Sequence, residues 1–516
     1  MLRVVALSVA LTSGACLAER GPFTNRMAQS GTSYLTRAAR QPVNWQPWGR
    51  DAFALAARLD RPVLLYIGND NCHWCAETDR AIYTDPEIGS LINALFVPIR
   101  VDRDERPDVA QRYQSAVERL AGLRGWPLTV FLTADGSPFF GGTYFPADDA
   151  ITGRGLKQLL PEIAKNYRDQ RSFIVQQAAV VRQLVLTSNG EAHGVLRASL
   201  LRQGIDVVAR DLNDAVTAGM AGGSVMHVEA ASLLLTEYAR FRDTNALAVA
   251  RRALDLMLDS ANVAAGEDPP RVVRAALIGG LAKGWIVTGE QRYRAAGRVL
   301  VRELARQLPD VASLSGVGDA VFADQQSYVI ENLMLAAATL GEPEVEARAR
   351  AALDVLLQRT YARGWGVRHA VGGSAATAGA PPGGGLLQDQ VQVASACLAA
   401  HQLSGDRRYL DVALDLATIL ERRYADTLGG YYDIAEATPA SLLVSADRTK
   451  HVFDDVLPGA NAAAARMLAR LSDVTADASY RRRAQATLEA FAGNVTNGGL
   501  RATTFLAAAR ETLAPQ

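Results

Sequence analysis

Two cysteines three positions apart, Cys72 and Cys75, are the residues whose type and spacing most directly specify a chemistry in this chain. They lie in Asn71-Cys72-His73-Trp74-Cys75, after the apolar run 62–67 (PVLLYI) and before a helical pattern. A thiolate at a helix N-terminus meets unpaired N–H groups and the positive end of the helix dipole, which lowers its pKa and favours the nucleophile. Cys72 would attack a disulfide, and Cys75, one turn on, would resolve the mixed disulfide. His73, as an imidazolium, would stabilise the Cys72 thiolate, and Trp74 would cover the site. A zinc site needs about four ligands, usually as two pairs. With no second Cys-x-x-Cys and His73 as the nearby histidine, neither metal nor cofactor is expected. A structural pair without activity is the competing explanation. Glu77 and Asp79, on the following helix, are expected to be solvated rather than general bases.

The elements that must position this pair follow in order. A helical stretch at 51–60 precedes the first strand, and Asp85-Pro86-Glu87 opens a short helix with proline at its first position. The β-branched run 96–101 (FVPIRV) reads as a second strand, and 106–120 has helical spacing. Arg124-Gly125-Trp126-Pro127 leads into a third strand, 128–132 (LTVFL), with a hairpin partner at 139–144 beyond the turn Ala134-Asp135-Gly136. Helical segments fill 156–186. The order β-α-β-α-β-β-α is that of a thioredoxin-like core. Pro127 takes the place where that fold carries a cis-proline facing the cysteines, a bond that usually has a purpose. It would press the Trp126 backbone against the disulfide and offer hydrogen bonds to an extended peptide. His73, Trp74, Trp126 and Pro127 are therefore the expected substrate-binding residues, and protein thiols or disulfides, or a redox partner, the expected partners.

PVNWQPWG, CHWC, IRVDRDERPDV, GWPLTVFLT and FFGGTYFP, in this order and spacing, resemble the YyaL-type family, whose animal branch is spermatogenesis-associated protein 20. The resemblance is close over 25–146 and looser beyond. It implies a thioredoxin-like domain joined to an α/α toroid. One departure is Ala76, where the family usually has a histidine after the second cysteine; this removes any role for that imidazole in tuning the thiolate or holding a metal.

Composition bounds the rest. The 516 residues exceed one hydrophobic core. The balance of 54 Lys plus Arg against 54 Asp plus Glu gives no sign of a nucleic-acid partner. Residues 1–18 have the layout of a secretory signal peptide: Arg3, an apolar stretch 4–11, then small residues (SGACLA). Ser13-Gly14-Ala15-Cys16 loosely resembles a lipoprotein box. The expectation is an exported protein, periplasmic or anchored through Cys16, with no membrane span in the mature chain. Cys397, on an apolar helical pattern, reads as a buried structural thiol.

Beyond residue 195 strand signals vanish and alanine-rich amphipathic helices recur. Thr288-Gly289-Glu290-Gln291-Arg292-Tyr293, Ser404-Gly405-Asp406-Arg407-Arg408-Tyr409 and Thr475-Ala476-Asp477-Ala478-Ser479-Tyr480 are copies of one helix–helix joint. Glycine ends a helix, the acid starts the next, and tyrosine packs between. About a dozen helices fit the length at usual helix and loop sizes. The expected architecture is multidomain: a leader over 1–18, an α/β thioredoxin-like domain over 19–190 and an all-α six-hairpin (α/α) toroid over 195–516. An open solenoid is the alternative closure. Polar residues at helix starts are the toroid candidates: Asp324, Asp389, Asp454 and Asn461, for N-capping or for a carbohydrate ligand. A glycosidase would need two carboxylates across a cleft, and an epimerase paired acid/base groups. His369, His401 and His451 qualify for that by residue type, with His401 expected to be a core or capping residue.

Overall fold

The computed structural model describes residues 23–148, 154–187, 192–220, 224–263, 270–309, 320–372, 385–436 and 448–513. The leader 1–18 and Cys16 lie outside them.

The N-terminal unit forms around a run of six buried residues, β2 (Val63–Gly68). Side chains alternate across a strand, so a strand covered on both faces reads as continuously apolar. Leu64 and Tyr66 point into one core with Tyr34, Trp45, Cys75 and Tyr83. Val63, Leu65 and Ile67 point into the other, with Phe53, Val101 and Tyr113. The five-stranded sheet has the order β1 (Gln46–Pro47), β3 (Val97–Asp102), β2, β4 (Leu128–Leu132), β5 (Pro138–Gly142). β1 and β2 run parallel to β3, whereas β4 is antiparallel to β2 and to β5. The short edge strand β1, inside PVNWQPWG, is an addition to the sequence reading. The helices are α1 (Ser33–Arg37), α2 (Arg50–Leu59), α3 (His73–Thr78), α4 (Pro86–Leu95), α5 (Pro107–Ala121), α6 (Leu156–Asp169) and α7 (Arg171–Thr187). α3 runs on into a π-helical turn, Asp79–Tyr83.

The second unit is a closed ring. Among the described residues twelve helices make six pairs: α8 (Ala198–Thr217) lies against the last helix, and five hairpins follow in order, α9 (Val225–Phe241) with α10 (Thr244–Val263), α11 (Arg271–Thr288) with α12 (Gln291–Arg306), α13 (Ala323–Leu340) with α14 (Pro343–Thr360), α15 (Leu387–Ser404) with α16 (Arg407–Arg423) and α17 (Ala460–Thr475) with α18 (Ala478–Glu489), before α19 (Thr503–Thr512) returns to α8. The inner helices α9, α11, α13, α15, α17 and α19 each touch the next, and α19 packs back on α9. That contact closes an α/α toroid and excludes the open solenoid. Inner helices have neighbours on most sides, so α15 is buried nearly all round; outer ones such as α12 keep a charged face.

The repeated joint forms as its residues dictate. Gly289 and Gly405 end their helices in the left-handed region at φ 74° and 71°. Tyr293 and Tyr409 each reach back to an aspartate of the preceding outer helix, Asp255 at 2.9 Å and Asp354 at 2.8 Å. α8 and α19 adjoin none of the three joints read from sequence. α19 is short and buried on several sides, which erases its period. In α8 the pattern Leu201, Ile205, Val208, Leu212 is legible.

Candidate functional site

β2 ends at Gly68, and the chain crosses to Cys72 through a tied-down loop. Asn69 donates to the Asp104 carboxylate at 2.7 Å, and Asp70 is held by Ser33 and Arg37 of α1. Cys72 is the N-cap of α3, and the Cys75 N–H donates to its sulfur at 3.1 Å. The two cysteines form a disulfide with Cα atoms 5.1 Å apart. Cys75 is fully buried and Cys72 partly exposed. His73 and Ala76 lie at the surface. Trp74 is 55% exposed and stands edge-on to His73, with Tyr144 5.6 Å away. The Trp126–Pro127 bond is cis, and the Arg103 guanidinium sits 5.0 Å from the Trp126 ring.

Beneath the disulfide lies a polar core that sequence reasoning missed. Arg100, inside β3 and 1% exposed, makes a two-pronged ion pair with Asp79 at 2.7 and 2.6 Å. Asp79 also accepts from Gln41 at 3.0 Å. The expectation of a solvated Asp79 is therefore corrected: it is a clamp on the end of α3, because a buried guanidinium requires a carboxylate. Glu77 does lie on the surface, paired with Arg80. The Arg100 guanidinium rests 4.0 Å over the Tyr34 ring. A lone arginine in the apolar run FVPIRV was the available signal.

The C-terminal ends of β2 and β3 face the toroid. The turn after β3 is pinned by the Asp104 N–H to Asp102 at 2.9 Å, and burial, reinforced by Asp104, pushes the Asp102 carboxyl up to about 8. The Asp104 carbonyl accepts a hydrogen bond from Nε2 of His369 at 2.9 Å, which ties the two units together. Nδ1 of His369 bonds Asp389 at 2.8 Å, and Phe322 stacks on the ring. Nδ1 faces a carboxylate and Nε2 a carbonyl, partners that favour the charged ring. Burial opposes that charge, but Asp389 and Asp324 outweigh it and raise the ring's pKa to about 10. Burial pushes Asp324 up to about 7, against the pull of His369.

The structure thus brings two of the four toroid candidates together and leaves two apart. Asp324 and Asp389 join His369 in a buried group whose ligand-type atoms lie within 4.8 Å of one another. Binding a cation through His369 would require a ring nitrogen with a spare lone pair, and both are engaged. Asp324 and Asp389 stand inside the first turns of α13 and α15 rather than ahead of them. Asp389 accepts the Leu386 N–H at 2.8 Å and Asp324 the Gln325 N–H at 2.7 Å. Asp454 accepts the Gly459 and Thr504 N–H groups at 2.8 and 2.9 Å, capping the first turn of α19, and burial raises it to about 7. Asn461, within α17, bridges Tyr431 and the His451 carbonyl. His401 closes its own joint through the Asp406 carbonyl at 3.0 Å, and His451 pairs with Asp433. Cys397 is buried, which pushes its thiol well up.

The axis of the ring is a polar lumen that the sequence did not disclose. All six inner helices line it, with Glu229, Lys283, Tyr328, Glu331, Gln392, Arg466 and Thr504 among the wall. Tyr328 donates to Glu229 at 2.7 Å, Arg470 pairs with Glu331 at 2.8 Å and Arg466 with Glu511 at 2.8 Å. Burial, helped by Arg466, lowers the Lys283 amine to about 8.

Residues 24–185 match the family model described as Thioredox_DsbH, protein of unknown function, DUF255. Rat spermatogenesis-associated protein 20 is 36% identical over 162 residues, which is 31% of this chain and 20% of that protein. An uncharacterized protein of Caenorhabditis elegans is 35% identical over 173 residues, 33% of this chain and 24% of its own. The matched stretch thus spans between a fifth and a quarter of the length of these relatives. Among solved structures, the unsaturated glucuronyl hydrolase of Bacillus sp. GL1 covers 60% of this chain and 96% of its own, at TM-score 0.47 and 14% identity. The α-1,6-mannanase GH76A of Salegentibacter sp. HEL1_6 covers 60% and 98%, at TM-score 0.43 and 12% identity. The similarity to the Thioredox_DsbH family model and to spermatogenesis-associated protein 20 is thus a similarity of the thioredoxin-like segment, residues 24–185.

Proposed function

We propose that this protein is a thiol–disulfide oxidoreductase that works outside the cytoplasm through Cys72 and Cys75. The observation that carries the reading is a disulfide whose first cysteine is partly exposed at a helix start while the second is buried. In this reading a partner thiolate attacks the Cys72 sulfur and Cys75 leaves as a thiolate. A second partner thiol then attacks the mixed disulfide and releases Cys72, so the partner loses two electrons and the pair gains them. Run backwards, the same steps reduce a partner disulfide. Trp126, Pro127, Trp74 and His73 would form the groove for the partner chain. Export through residues 1–18, with or without lipid on Cys16, belongs to the proposal because disulfides persist outside the cytoplasm. Redox titration against glutathione, together with insulin reduction, tests it; a Cys72–Cys75 pair that does not exchange sinks it. A Cys75→Ser chain should hold partners as mixed disulfides on Cys72.

A second reading rests on the lumen. Its ring of carboxylates, cations, amides and hydroxyls suits a polyhydroxylated ligand, and the toroid would then bind or modify a carbohydrate with the thioredoxin-like unit as a lid. Thermal-shift screening of sugars tests this reading, with Asp389→Ala and Asp454→Ala as controls outside the lumen wall. Absence of any ligand shift would remove it.

A further inference from the structure

Gly68, the last residue of β2, separates the Tyr34 hydroxyl from the Cys75 sulfur. A Cβ built on it would fall within 3.0 Å of both the Tyr34 hydroxyl oxygen and the Cys75 sulfur, so the two face each other across the space that glycine leaves open. Tyr34 is 1% exposed, and its hydroxyl is buried without a hydrogen-bond partner. Its neighbour Tyr66 donates instead to the Cys75 carbonyl at 3.4 Å. An unpaired buried hydroxyl costs about 1–3 kcal/mol, so one kept beside a redox sulfur calls for an explanation. The ring cannot drift: α1 holds it from one side and the Arg100 guanidinium, itself clamped by Asp79, lies on its face.

We propose that Tyr34 is a positioning residue that donates its O–H to the Cys75 sulfur once the disulfide opens. In the disulfide Cys75 is a neutral, poor acceptor. When a partner thiolate attacks Cys72, the S–S bond breaks and its electron pair goes to Cys75, creating a thiolate in a site closed to water. The Tyr34 O–H meets that charge, and the Arg100 cation over the ring strengthens the donor. In the reverse direction the same bond keeps Cys75 deprotonated for its attack on Cys72, which forms the disulfide and expels the partner thiolate. A hydrogen bond made only in the reduced form favours that form, so the pair becomes more oxidising. Gly68 is required because any side chain would enter the gap.

The inference rests on the redox reading, and its test separates the two. In the full chain, Tyr34→Phe keeps the ring and removes the oxygen. The glutathione exchange equilibrium should move about tenfold toward the disulfide, equivalent to roughly 30 mV more reducing for a two-electron couple. Gly68→Ala should move it the same way. Thermal stability should rise in oxidised Tyr34→Phe, which loses the unpaired hydroxyl, and fall in the reduced protein. In a Cys72→Ser background, which needs no cycling, the thiolate absorbance of Cys75 should titrate at higher pH when Tyr34 is Phe. The other ionisable groups nearby, Tyr66 of β2, Arg100 and Asp102 of β3 and Asp79 after α3, are unchanged between these two proteins. Equal Cys75 titrations with and without the hydroxyl overturn the inference whether or not the pair exchanges. A wild-type pair that fails to exchange, beside a shifted Cys75 titration, overturns only the redox reading.

Discussion

The disulfide loop and the Asp324–His369–Asp389 group both bury polar atoms, yet they use them in opposite ways. In the toroid group the His369 nitrogens both have partners, and Asp389 holds the ring with one oxygen and a backbone N–H with the other. Saturated hydrogen bonding of this kind fixes a geometry and leaves His369 nothing to offer a substrate. At the disulfide loop, capacity is held in reserve. The Tyr34 hydroxyl has no partner and Cys72 remains partly exposed. The contrast separates a site that positions two units from one that, in the proposed reading, changes state, although both carry residues that sequence inspection would mark for chemistry.

Experiments can break or sharpen that contrast. The largest expected effect is in Cys72→Ser, which should abolish exchange with glutathione outright while the unfolding midpoint of the toroid stays put. Next is His369→Gln, which leaves two buried carboxylates without their cation and should cost about 3–5 kcal/mol in urea denaturation. The same variant should not change the exchange equilibrium of the cysteines; a change would mean that the group reaches the disulfide loop. The His369 contribution also depends on pH with a defined sign. Its folded pKa, about 10, lies above the unfolded value near 6.5. Its stabilisation is therefore complete below about pH 6.5 and is lost as pH rises toward 10, and the stability gap between wild type and His369→Gln should close over that window. Asp454→Ala removes a carboxylate that caps two backbone N–H groups and should cost about 1–2 kcal/mol by denaturation, without effect on exchange. The smallest effect belongs to Ala76→His. A charged imidazolium at that exposed position adds roughly 1 kcal/mol of Coulomb attraction for a nearby thiolate, so the exchange equilibrium should favour the dithiol by no more than about fivefold, and only at acidic pH.

Much of the scaffold was legible because local rules act on short stretches. The fully apolar 62–67 run, the proline opening α4 and the glycines ending α11 and α15 each follow from backbone sterics or two-sided burial. The disulfide pair was legible for the same reason, since its spacing is one helical turn. Asp324 and Asp389 were legible as helix-start residues, but their shared partner was not. His369 lies 20 residues before Asp389 and its second acceptor is the Asp104 carbonyl of the other unit, a pairing that no local pattern encodes. Asp79 was misjudged because helical spacing places it one turn beyond Cys75, whereas its partner Arg100 arrives from a neighbouring strand.

The sequence by itself determined the Cys72–Cys75 site, the order of strands and helices around it, and the repeated joints of the toroid, because those depend on spacing and backbone preference. Only the tertiary structure decided that the ring closes through α19 on α9, that its axis is polar, and that an unpartnered tyrosine faces the buried sulfur. Those outcomes depend on which distant residues share a few ångströms of space, and on what burial does to a polar group that has, or lacks, a partner there.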